Sequence, residues 1–356
     1  MTTGTAAPLG KLSPEAFARI VAPHLGAARD EVVVGPRAGH DAAIVKIGAG
    51  RVMAITTDPI SIIPALGPQR SAWLSCHLLA SDLWTTGIPP AYASVDFNLP
   101  PSFTDAAFEA YWRAMSATWA ELGVAVVTGH TGRYDGCGEG ILGAATVIGV
   151  GDEGRYVTPA MARPGDRVLV TKGCAIETAA VVAALCPQRL RQRLDDEQLA
   201  TLAAYERRAS VVDDCRAALR AGVHERGVTA MHDATEGGVL GGLVELAKAC
   251  GHDVRIERSR VPLAHEVRVA CEVFGVDPYW ALAEGALIVC AAPGRAAPVA
   301  HELAEEGIAA TEVGEVLPGS GRLWVAEADG SVLTFDAPLP DPYWPAYERA
   351  VREGWQ

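Results

Sequence analysis

The spacing of apolar and polar residues changes repeatedly along the chain, and each change predicts a new helix or strand. Over 70–86, apolar residues recur at helical intervals, among them Trp73, Cys76, Ala80 and Trp84. The same reasoning predicts further helices over 14–25, 104–122, 176–186, 196–222, 238–250, 264–274 and 296–306. Short apolar or alternating runs predict strands over 41–47, 52–57, 91–99, 124–127, 141–150, 167–171, 228–231, 253–257, 286–291 and 311–316. Both halves mix helices with non-consecutive strands, which predicts two α+β domains rather than one doubly wound sheet.

A cluster of turn residues at 162–166 separates the two halves. We therefore expect an N-terminal domain over 1–155, a C-terminal domain over 156–335 and a tail over 336–356. The tail is rich in proline and aromatic residues. We expect it to pack on the body as a short helix from Pro345, and a surface for interaction with a partner is the alternative.

Composition narrows the class of protein. The 356 residues are 49% hydrophobic and 21% charged, a soluble globular balance with room for two domains. The net charge of −13 argues against nucleic acid as the main partner, whereas magnesium could carry the positive charge that a small phosphorylated ligand needs. The eight cysteines contain no C-x-x-C pair, so we expect reduced core residues. With no signal peptide and no apolar run of membrane-spanning length, we expect a cytoplasmic protein that does not bind membranes.

Three aspartates of the first half are candidate metal ligands. Asp41 precedes an apolar strand, and Asp58 is expected at a strand end because Pro59 should stop the pairing. Asp82 lies inside an apolar helix, where an unpaired buried carboxylate costs several kcal/mol and so needs a partner such as a metal. Three hard oxygen donors suit magnesium with phosphates. An Asx turn at Asp41 and a solvated Asp82 are the alternatives.

Two glycine-containing segments are candidate phosphate contacts. In 127–133 a strand is expected to run into a loop of small residues, where His130 could touch a phosphate, orient a ligand or be structural. In 231–242, Gly237 and Gly238 are expected at the start of a helix, where free N–H groups attract anions. Neither a Walker loop nor a Rossmann glycine triplet occurs. A plain strand-to-helix turn is the alternative for this second segment.

Taken in order, these segments resemble the superfamily of aminoimidazole ribonucleotide synthetase (PurM), which includes HypE, selenophosphate synthetase and thiamine-monophosphate kinase. The resemblance rests on GHDAAI at 39–44, TTD at 56–58, ASDLWTTGIPP at 80–90, VVTGHT at 126–131, RPGD at 163–166, HDATEGGV at 232–239, AEGALI at 283–288 and EVGEVLP at 312–318. Within the superfamily the chain is most similar to HypE. The resemblance implies a PurM-like α+β fold, with an N-terminal domain that forms a dimeric β-barrel and a ferredoxin-like C-terminal domain.

The resemblance also implies a site between the domains that binds ATP with Mg²⁺. Its metal ligands would be Asp41, Asp58 and Asp82, and its general base or acid would be Glu284, or else His130, which stands where many relatives have an aspartate. The nucleotide contacts implied in this way are Gly129, Thr131, Asp233, Glu236, Gly237 and Gly238. Two positions depart from the family pattern: Gly132 replaces a lysine, and Glu236 replaces an arginine.

The expected function is therefore that of an ATP-dependent, HypE-like enzyme that phosphorylates an oxygen of a small-molecule or protein-terminus substrate, acting as a homodimer. A small-molecule kinase of the thiamine-monophosphate kinase type and a non-catalytic ATP-binding partner protein are the alternatives. HypE acts on a cysteine at its own C-terminus, whereas no cysteine follows Cys290 here. We therefore do not expect cyanide-ligand synthesis in the manner of HypE. Selenophosphate synthetase is disfavoured because no reactive cysteine lies near the N-terminus.

Overall fold

The computed structural model describes residues 9–138 and 140–355, and two mixed β-sheets dominate this part of the chain. The first half supplies the strands β1 (Val32–Val34), β2 (Ala43–Gly48), β3 (Arg51–Ile60), β4 (Tyr92–Leu99), β5 (Ala125–Arg133) and β6 (Gly143–Asp152). The second half supplies β7 (Arg167–Thr171), β8 (Val228–Ala234), β9 (Asp253–Glu257), β10 (Ala286–Ala291), β11 (Ala310–Leu317), β12 (Leu323–Ala326) and β13 (Val332–Phe335). The predicted α+β class with two separate sheets is confirmed.

The helices are divided between the same two halves of the chain. The first half carries α1 (Pro14–Ile20), α2 (Gly67–Trp84) and α3 (Asp105–Glu121). The second carries α4 (Ile176–Leu185), α5 (Pro187–Leu190), α6 (Asp196–Ala203), α7 (Val212–Arg220), α8 (Gly238–Cys250), α9 (His265–Phe274), α10 (Ala296–Glu305) and α11 (Tyr343–Arg352). No helix among the described residues has the length and apolar character needed to cross a membrane.

The strand order places one predicted site segment at an edge of each sheet. The first sheet runs β1-β2-β3-β6-β4-β5, and only its β4–β5 pair is parallel. The second runs β13-β12-β9-β11-β7-β10-β8, with a single parallel pair between β9 and β12. Strand β5 therefore ends the first sheet and β8 ends the second.

Helix α2 packs against the sheet of its own half and also contacts the second half. On the inner side, Phe97, Tyr111 and Trp119 fill the core of the first half with aromatic side chains. On the outer side, Arg70 pairs with Glu206 at 2.9 Å. Contacts of this kind fix α2, and with it Asp82, against residues that are far away in the sequence.

Three strands continue further than the sequence predicts. Strand β3 runs through Asp58 and Pro59 to Ile60, so the prediction that Pro59 ends the strand is wrong. The physical reason is that β2 pairs with β3 only as far as Ile55, which leaves one side of β3 free for a residue that lacks an N–H. Strand β5 continues through Arg133 by parallel pairing with β4, and β8 continues through Asp233. Gly129, His130 and Thr131 therefore lie in a strand and not in a loop.

The long helix predicted over 196–222 is wrong, because α6 is followed by a short 3-10 helix over Ala204–Arg208 and α7 begins only at Val212. Lys172 explains the interruption: its ammonium group donates to the carbonyl oxygens of Arg208 and Ser210 and pairs with Asp214 at 2.8 Å. Those carbonyls are thus taken by a side chain rather than by helical N–H groups. The short strands β1, β12 and β13 were not predicted, and α1 ends at Ile20 rather than near residue 25.

The tail packs on the body as predicted, although its helix α11 begins at Tyr343, two residues before Pro345. Tyr343, Ala346 and Ala350 form its buried face. All eight cysteines are free and six of them are buried, which confirms the expectation of reduced core residues. The structure does not describe the first eight residues or Gln356. The expectations on a signal peptide and on the chain end refer to these residues.

Candidate active site

Carboxylates from both halves of the chain come together where the halves meet. The first half contributes Asp41 before β2, Asp58 near the end of β3 and Asp82 within α2. The second half contributes Asp233 near the end of β8 and Glu284 just before β10. Donor atoms of Asp41 and Asp233 lie within 4.8 Å of each other, and the charges of Asp58, Asp233, Asp41 and Glu284 all raise the pKa of Asp82. The structure thus assembles five of the site residues that the sequence predicts.

Burial makes this cluster electrostatically unfavourable on its own. Asp82, Asp233 and Glu284 are buried, which confirms the burial predicted for Asp82. Burial first, and the charge of Asp58 next, hold the pKa of Asp82 well above its usual value. Burial and Asp41 raise the pKa of Asp233 to about 8. Burial and Asp233 likewise hold the pKa of Glu284 well above its ordinary range. A cation placed among these groups would relieve their repulsion.

His232 lies between two carboxylates and orients Asp41. Its Nδ1 is 2.7 Å from Oδ2 of Asp41, and its Nε2 is 3.0 Å from Oε2 of Glu245. Because both ring nitrogens face carboxylate oxygens, these surroundings favour the imidazolium form of the side chain. Burial lowers the pKa of His232, but the two carboxylates outweigh it and hold the pKa well above its usual value. The contact fixes the orientation of Asp41.

The donor set fits magnesium. Asp41, His232 and Asp233 each offer a donor atom within 4.8 Å of the other two. In the described part of the chain, both carboxylate oxygens of Asp233 are buried without a hydrogen-bond partner. Mg²⁺ prefers such carboxylate oxygens. His232 also offers a ring nitrogen to this group, but its contact with Oδ2 of Asp41 suits it to orient that carboxylate from behind.

The glycine loop after β8 has the backbone that its sequence suggests. Gly237 and Gly238 have φ angles of 82° and 65°, a region that favours glycine. A β-carbon on Gly238 would lie 2.6 Å from the carbonyl oxygen of Tyr279. The N–H of Gly237 is not free as expected, because it donates to Oδ2 of Asp341 at 2.8 Å. A carboxylate from the tail therefore occupies one anion-binding position at the start of α8.

The predicted contacts on β5 lie apart from the carboxylates within one chain. Asp58, Ala145, Val95 and Gly129 stand opposite one another across β3, β6, β4 and β5. Three strand spacings separate the first from the last, a distance of about 14 Å. Gly129 also has a packing reason to be glycine, since a β-carbon there would collide with the carbonyl oxygen of Val95. The structure does not bring Gly129, His130 and Thr131 to the carboxylate cluster.

Four residues of this region were missed by the sequence analysis: Lys11, His232, Glu245 and Asp341. His232 stands next to Asp233 in the HDATEGG segment, and that neighbourhood was the available signal. Glu245 lies on α8, which follows the same loop. Its local sequence is that of an ordinary helical glutamate, so nothing in the sequence distinguishes it. Lys11 lies outside every helix and strand, so no periodic pattern points to it.

Comparison with known proteins identifies the family of the chain. The family described as AIR synthase related protein matches with its N-terminal domain over residues 39–151 and with its C-terminal domain over 163–325. Carbamoyl dehydratase HypE from Rhizobium leguminosarum bv. viciae is 30% identical over 277 residues, which are 76% of this chain and 75% of that protein. The chain therefore belongs to the AIR synthase related (PurM) superfamily, and within that superfamily it is HypE-like.

Two solved structures share the fold at lower identity. The hydrogenase maturation protein HypE in complex with ATP superposes with a TM-score of 0.65 at 22% identity, covering 92% of both chains. AaThiL complexed with AMPPCP and TMP superposes with a TM-score of 0.69 at 20% identity, covering 92% of this chain and 97% of that one. The two-domain PurM-like fold is thereby confirmed.

Proposed function

We propose that this protein is an ATP-dependent enzyme that uses Mg-ATP to phosphorylate, and so activate, an oxygen of a substrate yet to be identified. The observation that carries the proposal is the buried cluster of carboxyl groups, above all Asp233, whose two oxygens have no hydrogen-bond partner among the described residues. Burial and Asp41 raise the pKa of Asp233 to about 8, so its ionised form is costly unless a cation compensates it. Solved relatives of the same fold hold ATP or AMPPCP.

In this proposal Asp41, Asp58 and Asp82 hold the magnesium ions, with Asp233 completing the set from the other half. Asp82 is held in place by the hydroxyl of Thr56, which donates to its Oδ2 at 2.8 Å. Mg-ATP supplies the phosphoryl group. The carboxylates would position the metal ions, which would compensate the charge of the phosphates; positioning and electrostatic stabilisation account for most of the catalysis in phosphoryl transfer.

The remaining roles fall mainly to the second half. Glu236, Gly237 and Gly238 close the site at the start of α8. Glu284 moves a proton, since it is a buried carboxyl whose pKa is raised and whose Oε2 has no hydrogen-bond partner among the described residues. His130 stays the second candidate for proton transfer. In the described chain its Nε2 is hydrogen-bonded to the hydroxyl of Tyr134 at 2.8 Å.

We further propose a homodimer formed through β5. Val126 and Val127 are 38% and 58% exposed on this edge strand, and unpaired apolar edges promote pairing with another chain. A groove of about 420 Å³ runs beside the strand and is lined in part by Phe108 and Trp112. Pairing would produce the dimeric β-barrel that the family resemblance implies. Gly129, His130 and Thr131 would then lie at the subunit interface, from which Gly129 and Thr131 could contact phosphate.

The domain limits belong to the same proposal: 1–155 for ATP and magnesium binding and for dimerisation, 156–335 for the ferredoxin-like domain, and 336–356 for the tail. The limits are supported by the sheets, since β6 ends at Asp152 and β7 begins at Arg167. The aromatic tail helix α11 packs on the second half, where Tyr343 contacts Phe274 with ring centroids 5.8 Å apart.

The test is calorimetric titration of ATP with and without magnesium, followed by chromatography of the nucleotide. We expect magnesium-dependent binding and slow formation of ADP. Asp82→Asn should weaken Mg-ATP binding by about tenfold or more, because it removes a charged ligand. The matched control is Asp213→Asn, an exposed aspartate on α7, which should bind like the wild type. Unchanged binding and hydrolysis in Asp82→Asn would rule out its metal role.

Analysis of the reaction products distinguishes the candidate functions of this site. The fold shared with AaThiL, a protein complexed with AMPPCP and TMP, favours a small-molecule kinase as the second candidate. A stable phosphorylated small molecule would identify such a kinase, whereas phosphate release with a dehydrated or amidated product would identify a HypE-like reaction. Tight ATP binding without turnover over a panel of metabolites would instead identify a non-catalytic partner protein.

A further inference from the structure

The segment before α1 carries a lysine to the glycine loop of the second half. The backbone N–H of Lys11 donates to Oε2 of Glu236 at 2.6 Å, and its Nζ donates to Oγ1 of Thr235 at 2.7 Å. The preceding Gly10 has a φ of 98°, and a β-carbon there would lie 2.6 Å from Oε2 of Glu236 and 2.9 Å from Nε1 of Trp344. The segment thus passes through a narrow gap between the loop and α11, which fixes where Lys11 enters.

The ammonium group of Lys11 lies in the field of the carboxylate cluster. Burial lowers the pKa of Lys11, but Glu245, Asp41, Asp58 and Asp82 outweigh it and raise the pKa. These carboxylates belong to both halves of the chain. Lys11 forms an ion pair with none of them in the described residues, and its side-chain hydrogen bond there goes to Thr235. Because an ammonium group has three N–H donors, two of them can bind a ligand.

We propose that Lys11 is a phosphate-binding residue of the nucleotide site and contacts the terminal phosphate of ATP from the N-terminal segment. This inference rests on the proposed function. Lysine binds phosphate as a compact point charge with several donors. The Nζ of Lys11 donates to Thr235 at the start of the glycine loop, and the carboxylates that would hold the metal act on its charge. A phosphate bound to that metal would therefore come within reach of the ammonium group.

A purely structural role, in which Lys11 only holds the N-terminal segment in place, does not account for the position of its side chain. A tether for the N-terminal segment already exists in the bond between the backbone N–H of Lys11 and Glu236, which any residue type could form. The side chain adds a cation beside the acidic cluster without pairing with any one carboxylate there. This arrangement leaves the charge available to an anion that arrives together with a metal.

The experiment measures the affinities of Mg-ATP and Mg-ADP for the full chain by calorimetry. We compare the wild type with Lys11→Met, with Lys11→Arg, and with the control Lys248→Met, an exposed lysine at the end of α8. Lys11→Met should weaken Mg-ATP binding by about 10- to 100-fold, the usual effect of removing a charged hydrogen bond. Its affinity for Mg-ADP should change by less than about threefold, since the terminal phosphate is missing. Lys11→Arg should recover much of the loss, and Lys248→Met should behave like the wild type.

Retained Mg-ADP binding also shows that the variant is folded. Equal affinities of Lys11→Met and the wild type for Mg-ATP would overturn the proposal. An equal loss for both nucleotides would overturn the assignment to the terminal phosphate. Tighter Mg-ATP binding in Lys11→Met would make Lys11 a competitor of the metal and would also overturn it. Failure of the proposed function itself would appear differently, as absence of Mg-ATP binding in the wild type.

Discussion

The two edge strands β5 and β8 carry similar sequence signals but have opposite surroundings. Each ends its sheet, and each contains a histidine among small residues, His130 on β5 and His232 on β8. Every residue of β8 is buried, because α8 and the first half cover the strand. Nearly every residue of β5 is exposed. The carboxylate site is built around the covered edge.

The comparison shows that the chemical environment of a histidine depends more on the burial of its strand than on the sequence motif around it. On β8, charged groups in a dry environment must be compensated, and His232 accordingly lies between the carboxylates of Asp41 and Glu245, beside the cluster that we propose to bind magnesium. On β5, water can solvate the same kinds of groups, and His130 has only a local partner, Tyr134, in the described chain. Within one chain, the exposed edge strand β5 stays apart from the carboxylate site.

The largest expected contrast is between the two histidines. His232→Ala should lower the free energy of unfolding by about 3–5 kcal/mol, because it leaves two buried carboxylates without their cation. His130→Ala, its counterpart on the exposed edge, should change it by less than about 0.5 kcal/mol. Denaturant unfolding at neutral pH measures both. Similar costs for the two variants would contradict the difference drawn between the strands.

A second test uses pH, with a metal chelator present. The pKa of His232 is raised above its unfolded value of about 6.5, so its stabilising contribution is fully present below pH 6.5 and is lost as pH rises through the folded pKa. The stability advantage of the wild type over His232→Gln should therefore shrink above pH 6.5 by about 1.4 kcal/mol per pH unit. Unfolding curves between pH 6 and 9 give the slope. An advantage that is constant or grows with pH would show that His232 is not held as a cation.

The smallest effect on stability should come from the exposed edge, although its effect on assembly should be clear. Val127→Lys places a charge on β5 and should change the unfolding free energy by less than about 0.5 kcal/mol while converting dimers to monomers. Val332→Lys, on the edge strand β13 of the other sheet, is the matched control and should leave the dimer intact. Light scattering after gel filtration measures the mass. A monomeric wild type, or a dimeric Val127→Lys, would contradict assembly through β5.

Much of the fold follows from local pattern, and the exceptions have identifiable physical causes. The strong periodicity over 70–86 predicts α2 to within a few residues. The helix predicted over 196–222 fails because Lys172 binds carbonyl groups that a continuous helix would use. The end predicted for β3 at Pro59 fails because proline is tolerated where a strand is paired on one side only.

The candidate site could be predicted only in part. The acidic residues Asp41, Asp58 and Asp82 stand out because carboxylates in apolar surroundings need compensation, and the structure does gather them. The segment at 127–133 has an equally suggestive sequence, yet it lies about three strand spacings, or about 14 Å, away in the same chain. Pattern alone does not distinguish a covered edge strand from an open one.

The sequence by itself determined the α+β class, most of the helices and strands, the superfamily and the acidic candidates, because periodicity and short motifs act over neighbouring residues. Only the tertiary structure decided which candidates meet. Lys11 and Thr235 are 224 positions apart, and Asp41 and His232 are 191 apart. Such contacts depend on how the two halves pack, and the charge of each group depends on the burial that this packing creates.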